Sequence, residues 1–284
     1  MACERAVPGL PEGLEAVALA AAPEAERLAL SCEAGWNQTP ADWHRLLGLG
    51  LGFGLAERGG PLVASAVLLP YDRDIAWISM VLVTARWRRR GLASLLMGRA
   101  VAEGQALARA LFLDATPDGV AVYRALGFLE GQAITRWHRP AAAGAEAPPA
   151  RAEDVGRDAW AAACARDARA MGAPRGALLE ALAGDGRRIL RSGGSLLLRP
   201  GRLAGQVGPL IAEDRATAEG LLAEGLAALG GGAAFLDARD GAGLEAVLQA
   251  AGFTPQRPFL RMHLGRPPAG EPALLWLTAG PEFG

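Results

Sequence analysis

The sequence predicts an α/β protein in which a mixed β-sheet with helices packed on it occurs twice in tandem. Three observations carry this expectation. The stretch RPAAAGAEAPPA, residues 139–150, is rich in Pro, Ala and Gly and lacks large apolar side chains, so it reads as a linker. It divides the 284 residues into halves of similar length: residues 1–139, a linker at 140–150, and residues 151–284. The halves also repeat one another. LFLDATPDGVAVYRALGF (111–128) resembles AFLDARDGAGLEAVLQAAGF (234–253), and each is followed by Arg-x-His, at Arg136-Trp137-His138 and Arg261-Met262-His263.

The elements of the first half follow in order. Residues 24–34 and 40–48 have helical periodicity, the second with Asp42 near its start. GFGLAE and LVASAVLL read as strands joined by a hairpin turn at Arg58-Gly59-Gly60-Pro61. IAWISMVLV (75–83) is apolar and β-branched, as a central strand should be. From Gly91 to about Leu107, apolar residues Leu92, Leu95, Leu96 and Ala100 fall on one helical face. ALFLDA is the next strand. Pro117 starts a helix running to Leu126, Gly127 ends it in a left-handed cap, and Phe128 opens a closing strand.

Between the central strand and the helix at Gly91 lies Arg86-Trp87-Arg88-Arg89-Arg90. The first turn of a helix has backbone N–H groups without partners, and the helix dipole is positive there. Gly91 has no Cβ, so a phosphate can approach the backbone, and Ala93 keeps the next turn small. Arg88 and Arg90 can add charge-assisted hydrogen bonds. The segment is not a P-loop, because no Gly-Lys-Ser/Thr follows, and it lacks the three glycines of a dinucleotide fingerprint. From the residues alone, a solvated loop or a nucleic-acid contact also stands open.

Composition narrows the function classes. The net charge of −1 argues against a general nucleic-acid or membrane-surface protein. No apolar run reaches the roughly 18 residues a membrane span needs, and the first residues do not read as a signal peptide. Three scattered cysteines suggest a reduced, cytoplasmic setting rather than a disulfide framework. With three distant histidines and no Cys/His cluster, no metal is expected. All 29 basic residues are Arg, as a GC-rich coding sequence would favour, so arginine abundance alone carries little weight.

VLVTARWRRRGLASLL resembles the signature of the GCN5-related N-acetyltransferases (GNAT family). The family's acyl-CoA loop, Arg/Gln-x-x-Gly-x-Gly/Ala, is matched by Arg88, Gly91 and Ala93, and its Tyr ahead of a late Gly-Phe is matched by Tyr123. Ala85 stands where members often have proline, which bears on loop stiffness more than chemistry. The resemblance implies two tandem domains, each a mixed, mostly antiparallel sheet flanked by helices. It implies acetyl-CoA as cosubstrate and no metal. The pyrophosphate would rest on Arg88, Arg89, Arg90, Gly91, Leu92, Ala93 and Ser94, and the pantetheine arm would pair with the Met80, Val81, Leu82 and Val83 backbone. It puts Tyr123 near the sulfur, as proton donor to the departing thiolate.

The implied reaction transfers an acetyl group to a primary amine of a small molecule by direct attack on the thioester. A backbone N–H at Leu82 or Val83 would polarise the carbonyl. The general base is open among Glu33, Asp42, His44, Asp114, His138 and a water relay, and Asp114 is better explained by a structural role shared with Asp237 of the repeat. Trp36, Asn37 and Trp43 are candidates for the acceptor pocket, the indoles against an ammonium and Asn37 orienting it. Equally, the indoles could pack in the core while Asn37 and Thr39 cap a helix.

In the second half, GQVGPLIAED is the expected central strand and residues 215–229 the following helix. Glu213 and Asp214 stand where the arginine loop stands in the first half, and Leu248 stands in place of Tyr123. This half is therefore expected to bind no acetyl-CoA. RPFLRMHLGRP and QVGPLIAEDRATAEGLL are similar to the divergent second domain of tandem acetyltransferases. The expected partners are a small amine and no nucleic acid or membrane, in a monomer or homodimer. The alternative is a catalytically silent acyl-CoA-binding regulatory module.

Overall fold

The computed structural model describes residues 9–143 and 156–284. The expected linker lies outside the described residues from position 144 onward. The first half runs β1 (Leu14–Ala18), α1 (Glu24–Glu33), α2 (Pro40–Leu49), β2 (Leu51–Glu57), β3 (Leu62–Pro70), β4 (Ile75–Val83), α3 (Leu92–Leu107), β5 (Ala110–Ala115), α4 (Pro117–Ala125) and β6 (Leu129–Arg139). The second runs α5 (Arg157–Met171), α6 (Gly176–Ala183), β7 (Arg187–Arg191), β8 (Gly194–Arg199), β9 (Gly205–Ala212), α7 (Arg215–Ala228), β10 (Ala234–Arg239), α8 (Glu245–Ala250), β11 (Thr254–Gly265) and β12 (Leu275–Leu277). Among the described residues, no helix is long and apolar enough to cross a membrane.

Local chemistry explains the boundaries. Thr39 caps α2 in a reciprocal capping box with Asp42, and Pro40 occupies the first turn. Asn37 takes no part in that cap. Glu57 and Leu62 flank the expected hairpin turn, with Gly59 at φ 65°. Gly127, at φ 87°, ends α4 as expected.

The twelve strands form one sheet in the order β1-β2-β3-β4-β5-β11-β6-β10-β12-β9-β8-β7. The sequence suggests two separate mixed sheets; in the structure they join because the halves exchange their long last strands. β11 of the second half pairs antiparallel with β5 of the first, and β6 of the first pairs antiparallel with β10 of the second. β6 and β11 then pair with each other at the centre, Leu129 opposite His263 and Thr254 opposite His138. That two-fold relation is the internal repeat seen in space.

The repeated Asp and Arg residues meet across this exchange. Arg261 lies directly opposite Asp114 and donates to both its oxygens, at 2.9 and 3.0 Å. Arg136 lies opposite Asp237 and does the same at 2.8 and 2.8 Å. All four side chains are almost wholly buried. Bidentate geometry is what lets such charges tolerate burial. Asp114 is thus held in a structural pair, the role its repeat partner suggests, rather than left free as a base.

Replacing Asp237 by Ala would leave the Arg136 guanidinium buried without its carboxylate. The expected loss is about 3–5 kcal/mol, read as a lower urea midpoint at unchanged slope.

Candidate active site

β4 and β5 run parallel but pair only from Ile75 to Trp77 opposite Ala110 to Phe112. Beyond that point they part. In open α/β sheets such a gap at the carboxyl ends of strands is where ligands bind. β4 also carries a bulge: its register against β3 shifts between Ser79 and Leu82, and Met80 takes φ 52°. A non-glycine residue in this left-handed region is strained, and here Ser65 Oγ supports it by donating to the Met80 carbonyl at 2.8 Å.

A cavity of about 70 Å³ opens in the gap. That is room for roughly five waters at the ~10–15 Å³ each needs. Ser79, Met80 and Val81 line one side, and Asp114 and Tyr123 another. Of the expected strand segment, Met80 and Val81 reach the cavity. Leu82 is buried in the core; Thr84 donates to the Val63 carbonyl of β3, so the backbone of Val83, one residue before it, faces away from β3, where its carbonyl accepts from Arg88.

Tyr123 sits on α4 over Gly119, where a Cβ would lie 2.8 Å from its ring. The ring is half-buried and packs against Phe128. Burial pushes its phenol up to about 12. The hydroxyl therefore stays protonated at any physiological pH and can act as an acid.

The arginine loop leads into α3. Its N-cap is Gly91 at φ 80°, with no side-chain cap and no acidic residue in the first turn. Those amides are open to an anion. The loop is held from beneath: Trp87 Nε1 donates to Glu57 at 2.8 Å, Arg86 pairs with the same carboxylate, and Glu33 accepts from the Ala85 amide at 2.6 Å. Arg88 donates to the Val83 carbonyl at 3.1 Å, and the Arg90 guanidinium lies 4.6 Å from the Trp87 ring. Arg88, Arg89 and Arg90 all remain exposed, as does Ser94, while Ala93 is half-buried and Leu92 is buried with only its backbone near the seat.

The acceptor-side expectations need correction. Trp36 lines the cavity, but Trp43 is 0% exposed, packs in the core and donates to Ser31. Asn37 is 4% exposed and binds a loop of the second half, donating to the Ala204 carbonyl and accepting from the Leu203 and Ala204 amides. Apolar packing claims the one and backbone latching the other. Of the suggested bases, only Asp114 touches the cavity, and it is committed to Arg261. Glu33 clips the loop, Asp42 is bound in the capping box and to Arg199, His44 is exposed, and His138 packs on Phe235.

Sequence reasoning missed the second half's contribution. Arg257, Phe259, Pro281 and Glu282 all line this cavity, with Gln38 and Arg136 from the first half. The strand exchange brings Arg257 and Phe259 here. The segment after β12 brings Glu282, anchored as the Trp77 indole donates to the Pro281 carbonyl and Tyr71 to the Phe283 carbonyl. No local motif marks that segment.

The corresponding gap in the second half is occupied by the chain itself. β9 and β10 pair in parallel only from Gly205 to Val207, after which β12 lies between them and pairs with both. The N-terminus of α7 is likewise capped by its own Asp214, which accepts from the Thr217 amide at 2.8 Å. That hydrogen bond holds the exposed Asp214 carboxyl below its usual range.

Two family models match the chain: acetyltransferase (GNAT) family over residues 18–128 and acetyltransferase (GNAT) domain over 163–275. No curated protein sequence matches it. Among solved structures, a Pyrococcus horikoshii protein with a provisional acetyltransferase designation shares 18% identity over 97% of each chain, with a TM-score of 0.80. A GCN5-related N-acetyltransferase from Sphaerobacter thermophilus shares 19% over 92% of this chain and 98% of its own, TM-score 0.61. A tandem GNAT protein from the clavulanic acid biosynthesis pathway, solved without AcCoA, shares 18% over 89% and 98%, TM-score 0.59. At these identities the likeness speaks for the fold.

The chain has only two tyrosines, and burial raises both phenols, Tyr71 the further. An absorbance titration should show no phenolate appearing near pH 10 in the folded protein, and both ionising there once it is unfolded. The stability this contributes is complete below pH 10 and is lost as pH rises through about 12. Gly119→Ala should displace the Tyr123 ring and bring its titration back toward 10. The packing lost against Phe128 opposes the roughly 0.5–1 kcal/mol by which Ala is favoured over Gly inside a helix.

Proposed function

The chain belongs to the GNAT acetyltransferase family as a tandem of two such domains, and on that premise we propose that its first half transfers an acetyl group from acetyl-CoA to a primary amine of a small molecule. One observation carries the proposal: a bulged strand and a protonated tyrosine line one gap in the sheet, and that strand leads straight into an arginine loop and an uncapped helix N-terminus.

The diphosphate of acetyl-CoA would rest on the amides of residues 91–94, neutralised by Arg88, Arg89 and Arg90. The pantetheine arm would run along Met80–Val83, adding its amide groups to the strand edge β5 leaves unpaired. The thioester would then lie at the bulge, its carbonyl oxygen accepting from the Met80 or Val81 amide. The amine nitrogen attacks the carbonyl carbon, a C–N bond forms and the C–S bond breaks. Tyr123 gives its proton to the departing sulfur, and the proton lost by the new amide nitrogen returns the phenol to its neutral form. The high phenol pKa supports Tyr123 as donor to a thiolate rather than as a ground-state base.

The division into residues 1–139 and 151–284, with 140–150 between them, goes with this proposal. The second half would hold no acetyl-CoA, because β12 fills its gap and Asp214 caps its helix. A reduced, cytoplasmic setting fits the scattered cysteines and the cosubstrate. A silent acyl-CoA-binding module is the less favoured alternative, since binding alone has no use for a proton donor inside the cavity.

Thiol release from acetyl-CoA, followed across a panel of amines, tests the proposal. Tyr123→Phe should lower kcat by about 100-fold or more with little change in acetyl-CoA affinity; an unchanged rate removes Tyr123 from the chemistry. Arg88→Ala combined with Arg90→Ala should weaken acetyl-CoA binding by roughly 10–100-fold. Calorimetry should give one acetyl-CoA per chain, and two would refute the reading of the second half.

A further inference from the structure

Three residues that line the cavity each carry a buried polar atom without a hydrogen-bond partner among the described residues: Gln38 Oε1, Ser79 Oγ and Glu282 Oε2. Their residues are 2%, 7% and 4% exposed. Buried polar atoms are normally satisfied, so three accepting atoms left open in one cavity need an occupant. Two of them can only accept, and the third can. A donor with several N–H bonds, such as an ammonium, matches them.

The charges around the cavity are divided in the same way. On the Glu282 side, the guanidinium groups of Arg45 and Arg199 serve three carboxylates, Asp42, Asp185 and Glu282. Arg199 is thus shared between Asp42 and Glu282. Burial raises the Glu282 carboxyl against the opposing pull of Arg199 and Arg136. On the other side, Arg257 lies directly opposite Arg136 on the neighbouring strand. Like charges facing across strands are unfavourable. Asp237 is spent on Arg136 in a bidentate pair, and among the described residues Arg257 has no hydrogen bond or ion pair. One positive charge is left over there.

We propose that the acceptor is a zwitterion, an amino acid or a small molecule ending in one, with its ammonium seated on Gln38, Ser79 and Glu282 and its carboxylate on Arg257. This rests on the N-acetyltransferase reading and sharpens it from an amine to an amine–carboxylate. Glu282 Oε2 takes a proton from the ammonium, freeing the nitrogen lone pair to attack the thioester carbon. The proton leaves to solvent after turnover, so each cycle converts an ammonium and acetyl-CoA into an amide, free thiol and one proton. The first half supplies cosubstrate site and acid, and the second supplies the acceptor's two charged contacts.

The test compares amino acids with partners lacking the carboxylate: β-alanine with ethylamine, 4-aminobutyrate with propylamine, L-lysine with cadaverine. The full-length protein is used, with thiol release as readout. At least one amino acid should exceed its partner in kcat/KM by about 10–100-fold, as one charge-assisted contact implies. Arg257→Ala should erase that preference through KM, and Arg257→Lys should restore part of it. Glu282→Gln should lower kcat/KM for every amine while acetyl-CoA affinity, measured by calorimetry, stays the same. Equal or better turnover of the carboxylate-free amines, no turnover of any amino acid, or an Arg257→Ala variant with unaltered preference overturns the proposal. If acetyl-CoA itself fails to bind, the parent acetyltransferase reading falls instead. Arg257 is half-buried and unpaired, so its variants should keep the melting temperature of the parent.

Discussion

Two buried carboxylate–guanidinium pairs, Asp114–Arg261 and Asp237–Arg136, stand at the centre of the molecule, and the site depends on the strand exchange they span. Each joins one half to the other across adjacent strands. Losing either partner would strand a charge in a nearly dry interior, so the halves are held in one register. That register sets β11 beside β5 and thereby brings Arg257 and Phe259 to a cavity whose floor belongs to the first half. Without the exchange, the first half would close its own sheet with β6 and the cavity would have a different wall.

The same fold appears twice with its gap in opposite conditions. In the first half, β4 and β5 part and leave a strand edge unpaired beside an uncapped helix. In the second, β9 and β10 part in the same way, but β12 lies between them and Asp214 closes the helix end. Backbone hydrogen bonds that a pantetheine amide would make in one are made by the chain in the other. The segment leaving β12 then runs to the open gap and carries Glu282 into it. Filling one cleft and furnishing the other are consecutive acts of one stretch of chain.

The cavity is accordingly composite. Tyr123 comes from α4 of the first half, where the bare Cα of Gly119 makes room for its ring. Gln38 follows the first helix, held near the start of α2 by the Thr39–Asp42 capping box. Arg199, on β8, then couples Asp42 to Glu282, so this side of the cavity is wired through both halves. A local change in either half should be felt at the site.

Much of this was legible in the residues in order. Periodicity and turn chemistry outline the helices and strands of the first half, because both depend on neighbours within a few positions. Gly91 after a run of arginines marks a helix start that the structure leaves uncapped, because that is a local device, whereas Tyr123 stands out only through the resemblance to the family. The repeat of Asp and Arg is also plain, yet it says nothing about partners: Asp114 could pair with Arg136 or with Arg261 on equal chemical terms. Tertiary structure alone decided for the exchange, since strand pairing is a long-range choice made by packing. It also decided that Trp43 is core and Asn37 a latch, for an indole or an amide is equally at home in a pocket, and only the surrounding contacts separate the two. Glu282 was invisible for the same reason, being one carboxylate among many until the fold buried it with an oxygen unpaired.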